Sequence, residues 1–278
     1  MNTTYTTSYD DPATAGGPLM RPAPAAHRTS ALRSFGLEVR CELARLARQP
    51  SYVIPIFAFP LAFYYLFGIT MGGHYRGVTA ATYLLASYGA FGVIGAALFG
   101  FGVSLALERS SGWLILRRAS PMRLWSYLGA KMLTALCFAL AVAAAIEALG
   151  AFAGGVRLTP QAWLSLLGVL VAGAVPFCAL GFAIGTVAPA NGAPAIVNLI
   201  YLPLSFMGGL WIPVGLLPAT FARIAPWTPT YHFGKVAYAA IGIGTAAPVD
   251  IIALALWTAA FLALAAFGWR RDESRGHA

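Results

Sequence analysis

From Leu158 to Ala222 the chain runs for 65 residues without one Asp, Glu, Lys, Arg or His, an uncharged length sufficient for two bilayer crossings. The turn sequence Pro189–Ala190–Asn191–Gly192–Ala193–Pro194 falls where two such helices would reverse. Apolar blocks of the same character recur along the chain and predict spanning helices at about 52–71, 80–106, 129–153, 162–187, 193–211 and 249–269. Ahead of them, Leu32, Phe35, Val39, Leu43 and Leu46 recur at steps of three and four, while Arg33, Arg40, Glu42, Arg45 and Arg48 lie largely elsewhere on the wheel. This predicts an amphipathic helix over 30–49, lying in the headgroup layer before the first crossing. Residues 1–29, rich in Thr, Ala, Pro and Gly, bury too little apolar surface to order and predict a disordered tail rather than a signal peptide.

Composition agrees with this pattern: 59% of the 278 residues are hydrophobic, 10% are charged, and the mean hydropathy is +0.73. A soluble domain is about a quarter charged. The net charge of +9 does not point to nucleic acid, because the Lys and Arg residues sit in short segments between apolar blocks. Of 18 such residues, 14 fall in the N-terminal region, the 107–131 loop and the C-terminal tail, against Arg76, Arg157, Arg223 and Lys235 on the other side. By the positive-inside rule, six crossings place both termini in the cytoplasm. Cys41, Cys137 and Cys178 have no CxxC spacing, so neither a disulfide nor a metal site is expected.

The loop after the second crossing is the most distinctive segment. It reads Leu107, Glu108, Arg109, Ser110, Ser111, Gly112, Trp113, Leu114, Ile115, Leu116, Arg117, Arg118, Ala119, Ser120, Pro121, and later Gly129, Ala130, Lys131. A short apolar knob flanked by arginines suits a small helix pressed into a partner's groove; composition alone equally allows interfacial residues with positive-inside charge. With its Glu-Arg, Gly, Leu, Pro and Gly-x-Lys pattern (Glu108, Arg109, Gly112, Leu116, Pro121, Gly129 to Lys131), the chain resembles the permease subunits of ABC type-2 transporters over roughly residues 30–270, especially the drug-exporter and nodulation-exporter subgroup. The resemblance implies that the segment from Glu108 to Pro121, including Trp113, Leu114, Arg117 and Arg118, is the coupling helix that docks on a separate ATP-binding subunit. It further implies ATP and Mg bound by that partner rather than by this chain, and a dimer with an identical or similar permease.

A second stretch, Gly208 to Tyr231, holds Trp211, Pro213, Pro218, Pro226 and Trp227, too many breakers for one continuous span. Half-helices at the outer interface fit it, and the resemblance implies re-entrant helices capping the exit path; a plain outer loop is the other reading. Glu147 is the charge well inside a crossing, which makes it either a pathway or proton site or an outer-interface carboxylate. Asn198 is a second polar candidate for the pathway. Gly181 and Gly185 form a GxxxG that permits close helix approach and is a weak dimerisation signal. His74 and His232 fall outside the spans, which disfavours haem. The chain has no phosphate-loop motif, and about nine residues follow the last crossing, so if ATP drives this protein another chain is expected to hydrolyse it.

The expectation is therefore an all-α integral membrane protein of the cytoplasmic (inner) membrane, with six spans, an interfacial helix and re-entrant helices between the fifth and sixth spans. It is expected to export a hydrophobic or amphipathic cargo such as a drug, natural product or lipid-linked glycan. The alternatives are an ion-driven secondary transporter using Glu147, in which several intramembrane charges and internal repeats would be expected, and a non-transporting scaffold.

Overall fold

The computed structural model describes residues 31–75, 77–111 and 124–275. The expected tail at 1–29, Arg76, and Gly112, Trp113, Leu114, Leu116, Arg117, Arg118 and Pro121 of the loop lie outside the described residues.

Helix α1 spans Ala31–Ala47 and α2 spans Pro50–Thr70, the last turns of which widen to π geometry from Tyr64. A small hairpin, β1 (His74–Tyr75) paired with β2 (Val78–Thr79), leads into α3, Ala80–Ser110, whose middle at Leu98–Val103 is also π-helical. Then follow α4 (Leu124–Phe152), α5 (Pro160–Val187), α6 (Ala193–Met207), the short α7 (Ala219–Ile224), α8 (Pro229–Ala240) and α9 (Pro248–Arg275). The helix starts follow local chemistry. Pro50, Pro160, Pro194, Pro229 and Pro248 occupy first-turn positions that have no amide to satisfy. The Thr79, Thr159 and Thr228 side chains accept the amides of Thr82, Ala162 and Tyr231, capping α3, α5 and α8.

Among the described residues, five helices are long and apolar enough to cross a membrane: α2, α3, α5, Ser126–Phe152 of α4 and Pro248–Arg271 of α9. The most apolar stretch of α3 is 89% buried, against 17% for α9, so α3 is the axis of the bundle and α9 lies at its rim. Alpha3 reaches that position by having no side chain where its neighbours press closest. A Cβ on Gly92 would stand 2.7 Å from Val142 of α4 and 3.0 Å from Pro60 of α2, and one on Gly102 would meet the Gly181 carbonyl oxygen of α5 at 2.8 Å. A Cβ on Gly185 would in turn lie 2.9 Å from the Gly102 oxygen. The Gly181/Gly185 pair, read above as a weak dimerisation signal, thus packs within the chain, backbone against backbone, on α3. The rim helices present Ile54, Leu164, Ile251, Leu256 and Phe267 outward, as lipid contact requires.

The fifth predicted span, 193–211, differs from expectation. Alpha6 ends at Met207, and its 15 residues reach about 22 Å, short of a hydrocarbon core about 30 Å thick. The apolar run continues through Leu210, Trp211 and Ile212, but Gly209 takes a φ of +79° and turns the chain. The Leu204 carbonyl accepts both the Gly208 amide at 3.0 Å and the Thr230 hydroxyl of α8 at 2.6 Å, which ties the end of α6 to α8. The hairpin, too short for an alternation signal, places Tyr75 edge-on to Tyr83, which stacks on Tyr238 of α8. Alpha3 therefore joins two ends of the bundle about 46 Å apart, one carrying the 108–121 loop and the other the hairpin.

Candidate functional site

Where α3 runs out into the loop, four charges from three helices are packed together. Lys131 of α4 is 1% exposed at its side chain, and its ammonium group uses all three protons: to Glu42 Oε1 of α1 at 2.6 Å, to Glu108 Oε1 of α3 at 2.8 Å and to Ser104 Oγ at 2.9 Å. Arg45 grips Glu42 with two nitrogens, at 2.6 and 3.0 Å, and bridges to Glu108 at 2.5 Å. Tyr127 donates to the second Glu108 oxygen. Ser104 passes its own proton to the Gly100 carbonyl at 2.7 Å, inside the π-helical turn. Two carboxylates and two cations balance, and each carboxylate oxygen is met by a donor, the condition for a buried ion cluster to be tolerated. Burial alone would raise the Glu42 pKa; Lys131 and Arg45 beside it outweigh that and hold the carboxyl below the ordinary range. Burial likewise works against charge on Arg45, and Glu42 and Glu108 more than offset it, raising that pKa.

The next residue, Arg109, faces another way. Its guanidinium donates to the Thr186 and Ala188 carbonyls, both at 2.7 Å, at the C-terminal end of α5. A cation there satisfies acceptors the helix cannot and complements the negative end of its dipole. Glu108 and Arg109 of the predicted docking segment thus both face the bundle.

Alpha1 lies on α4 rather than apart from the bundle. Leu46 is buried, Phe35 rests within 3.4 Å of where a Cβ on Gly129 would be, and Leu32, Leu37, Arg40 and Arg48 point away.

Between α2, α3 and α6 a groove of about 500 Å³ is walled by aromatic and apolar side chains, among them Tyr52, Phe59, Phe63, Phe91, Phe99, Tyr201 and Leu202. The Tyr52 and Tyr201 hydroxyls donate to the Ala96 and Phe91 carbonyls of α3, which leaves their rings as wall. Asn198 and Ser51 line the groove as polar residues. Trp211 closes its upper end against Phe63 and Phe91, with ring centroids 5.7 and 5.6 Å away. Trp211 also lines a second cavity, of about 380 Å³, with Pro213, Tyr75, Tyr83 and Tyr88. Pro218 precedes α7, Pro226 lies in a 3-10 turn, and Trp227 is 78% exposed.

Glu147 is elsewhere. It is buried in α4, its Oε1 has no hydrogen-bond partner, and it does not line the groove that holds Asn198. At the hairpin end a second ion cluster joins α8 to α9: buried Asp250 accepts from His232 Nδ1 at 2.8 Å, Lys235 at 2.8 Å and the Ala247 amide at 2.9 Å. His232 Nε2 stands 2.9 Å from the Pro226 carbonyl. Sequence reasoning passed over both clusters. The available signals were a lone Glu42 on the polar face of a basic helix and a lysine, Lys131, inside a predicted span.

Several apolar helices of crossing length around a nearly sealed axial helix, with the two ion clusters at opposite ends, define a multi-pass membrane protein. Residues 34–241 match the family model described as ABC-2 type transporter, so the chain belongs to that family. It is also 30% identical over 235 residues to the Bacillus subtilis (strain 168) protein named "Putative transport permease YvfS", covering 84% of this chain and 96% of that one.

Proposed function

We propose that this chain is the transmembrane permease subunit of an ABC exporter, powered by ATP hydrolysis on a separate ATP-binding subunit. The observation that carries the reading is the fully paired cluster at the root of the 108–121 loop, which ties the loop to α1, α3 and α4. A loop so rooted moves helices when it is moved. The basic rim and apolar knob from Gly112 to Pro121 are the docking surface, and ATP-driven closure of the partner tilts the helices between inward-facing and outward-facing states. The groove along α2, α3 and α6 is one wall of the pathway, completed by a second permease. Its aromatic lining with sparse polar groups suits hydrophobic or amphipathic cargo. The fifth crossing is α6 together with the segment to α8, folded back as re-entrant helices ahead of the sixth crossing, α9, with both termini in the cytoplasm and the protein in the inner membrane. Family membership and the relative's name support a transport role.

Glu147→Gln tests the ion-driven alternative, which its unpartnered oxygen favours. The test of the main reading is Leu116→Asp, which sets a charge in the proposed docking groove at a cost of a few kcal/mol. The variant is expected to insert and fold but to lose the copurifying ATPase, while Arg223→Ala at the other end keeps it. Retention of the ATPase and of transport by Leu116→Asp overturns the docking assignment.

A further inference from the structure

Glu108 and Arg109 are neighbours on α3, and successive helical residues point about 100° apart. Glu108 enters the ion cluster with α1 and α4, and Arg109 reaches the end of α5. The geometry points to Arg109 as the positioning residue that carries movement of the loop to α6, and so to the wall of the groove; this rests on the reading of the chain as an ATPase-driven permease.

The linkage is short and stiff. Arg109 holds Thr186, the penultimate residue of α5, and Ala188, the first beyond it, with two nitrogens at 2.7 Å. From Ala188 the chain enters a closed turn in which the Gly192 and Ala193 amides donate to the Pro189 carbonyl at 3.1 and 2.8 Å, and Ala193 begins α6. Little slack separates the guanidinium from Asn198 and Leu202, which line the groove on α6. The direct α3–α5 contact does not replace this link. It is made by Gly102 against the Gly181 and Gly185 backbones, Phe101 against Phe182 and Leu105 beside Gly185, all earlier on both helices, whereas Arg109 holds the carbonyls that lead into α6. A planar fork on two carbonyls fixes position and orientation, whereas an ammonium offers a single pivot.

The experiment uses the full-length permease copurified with its ATPase, in membranes, with Cys41, Cys137 and Cys178 replaced by alanine and a reporter Asn198→Cys in the groove. The rate of maleimide labelling is measured with and without ATP plus vanadate. The permease with Arg109 intact is expected to change its labelling rate at least threefold. Arg109→Gln is expected to bind the ATPase and support basal hydrolysis normally, yet label at one rate in both conditions. Arg109→Lys is expected to fall between, and it decides the matter if Arg109→Gln does not fold into the membrane. A full nucleotide-dependent change in both variants overturns the role assigned to Arg109. Loss of ATPase binding in Arg109→Gln overturns it too, by making Arg109 a docking residue. No change with Arg109 intact instead removes the driven-permease reading beneath it.

Discussion

Replacing Lys131 by methionine keeps the length of the side chain and removes the cation that stands 2.6 and 2.8 Å from two carboxylates. Arg45 then remains as the partner of both, one negative charge is left in excess, and with 42% of the Arg45 side chain exposed its hold on them is screened by solvent. Taking one partner from a buried ion cluster costs about 3–5 kcal/mol. That free energy falls first on the docking of α1, which is held to α4 by Leu46, Phe35 and Glu42 and by no long span of its own. Hydrogen exchange of the α1 amides in detergent or nanodisc is the assay. The population of opened α1 is expected to rise by about two to four orders of magnitude, while exchange in the core of α3 is little altered. Combining Lys131→Met with Glu42→Gln and Glu108→Gln is expected to recover most of the loss, because no unpaired charge is then left buried. Unchanged α1 protection in Lys131→Met would refute the claim that this cluster holds the helix.

The Glu42 carboxyl has a lower pKa folded than unfolded, so its contribution to α1 docking is complete above the ordinary carboxylate range and is lost as pH falls through the folded value; α1 exchange, corrected for intrinsic rates, is expected to be flat from about pH 5 upward and to rise in acid. Asp250→Ala strands His232 and Lys235 and is expected to lower the melting temperature by several degrees, whereas Lys235→Ala, with its side chain 34% exposed, is expected to do little. Gly102→Val drives a side chain into the Gly181 backbone and is expected to prevent stable insertion of α3 against α5, seen as loss of monodisperse protein. If Gly181 and Gly185 mediated dimerisation instead, Gly102→Val would leave the monomer intact.

The helices were legible because lipid makes hydropathy a strong signal: the predicted spans 80–106 and 162–187 lie within the observed α3 and α5, and prolines mark several starts. The 193–211 span was read too long because apolar residues continue past Gly208, where hydropathy cannot register a glycine turn. The π-helical turns of α2 and α3 have no pattern that sets them apart from α-helix. The ion cluster escaped because Glu42, Glu108 and Lys131 are far apart in sequence, and each has an ordinary explanation when read alone. Glu108 and Arg109 belonged to a recognisable motif, but the motif does not say that both side chains turn into the bundle. That became visible when Tyr127, Ser104 and the α5 carbonyls were in place around them.

Reconstitution of the purified permease in proteoliposomes, with and without its ATP-binding partner, bears most directly on the central claim. A lipophilic fluorescent cation serves as the transported probe. The account predicts transport that requires the partner and ATP, persists without an ion gradient, and survives Glu147→Gln with a loss of less than tenfold. Transport by the permease alone, driven by a proton gradient and abolished by Glu147→Gln, would contradict it.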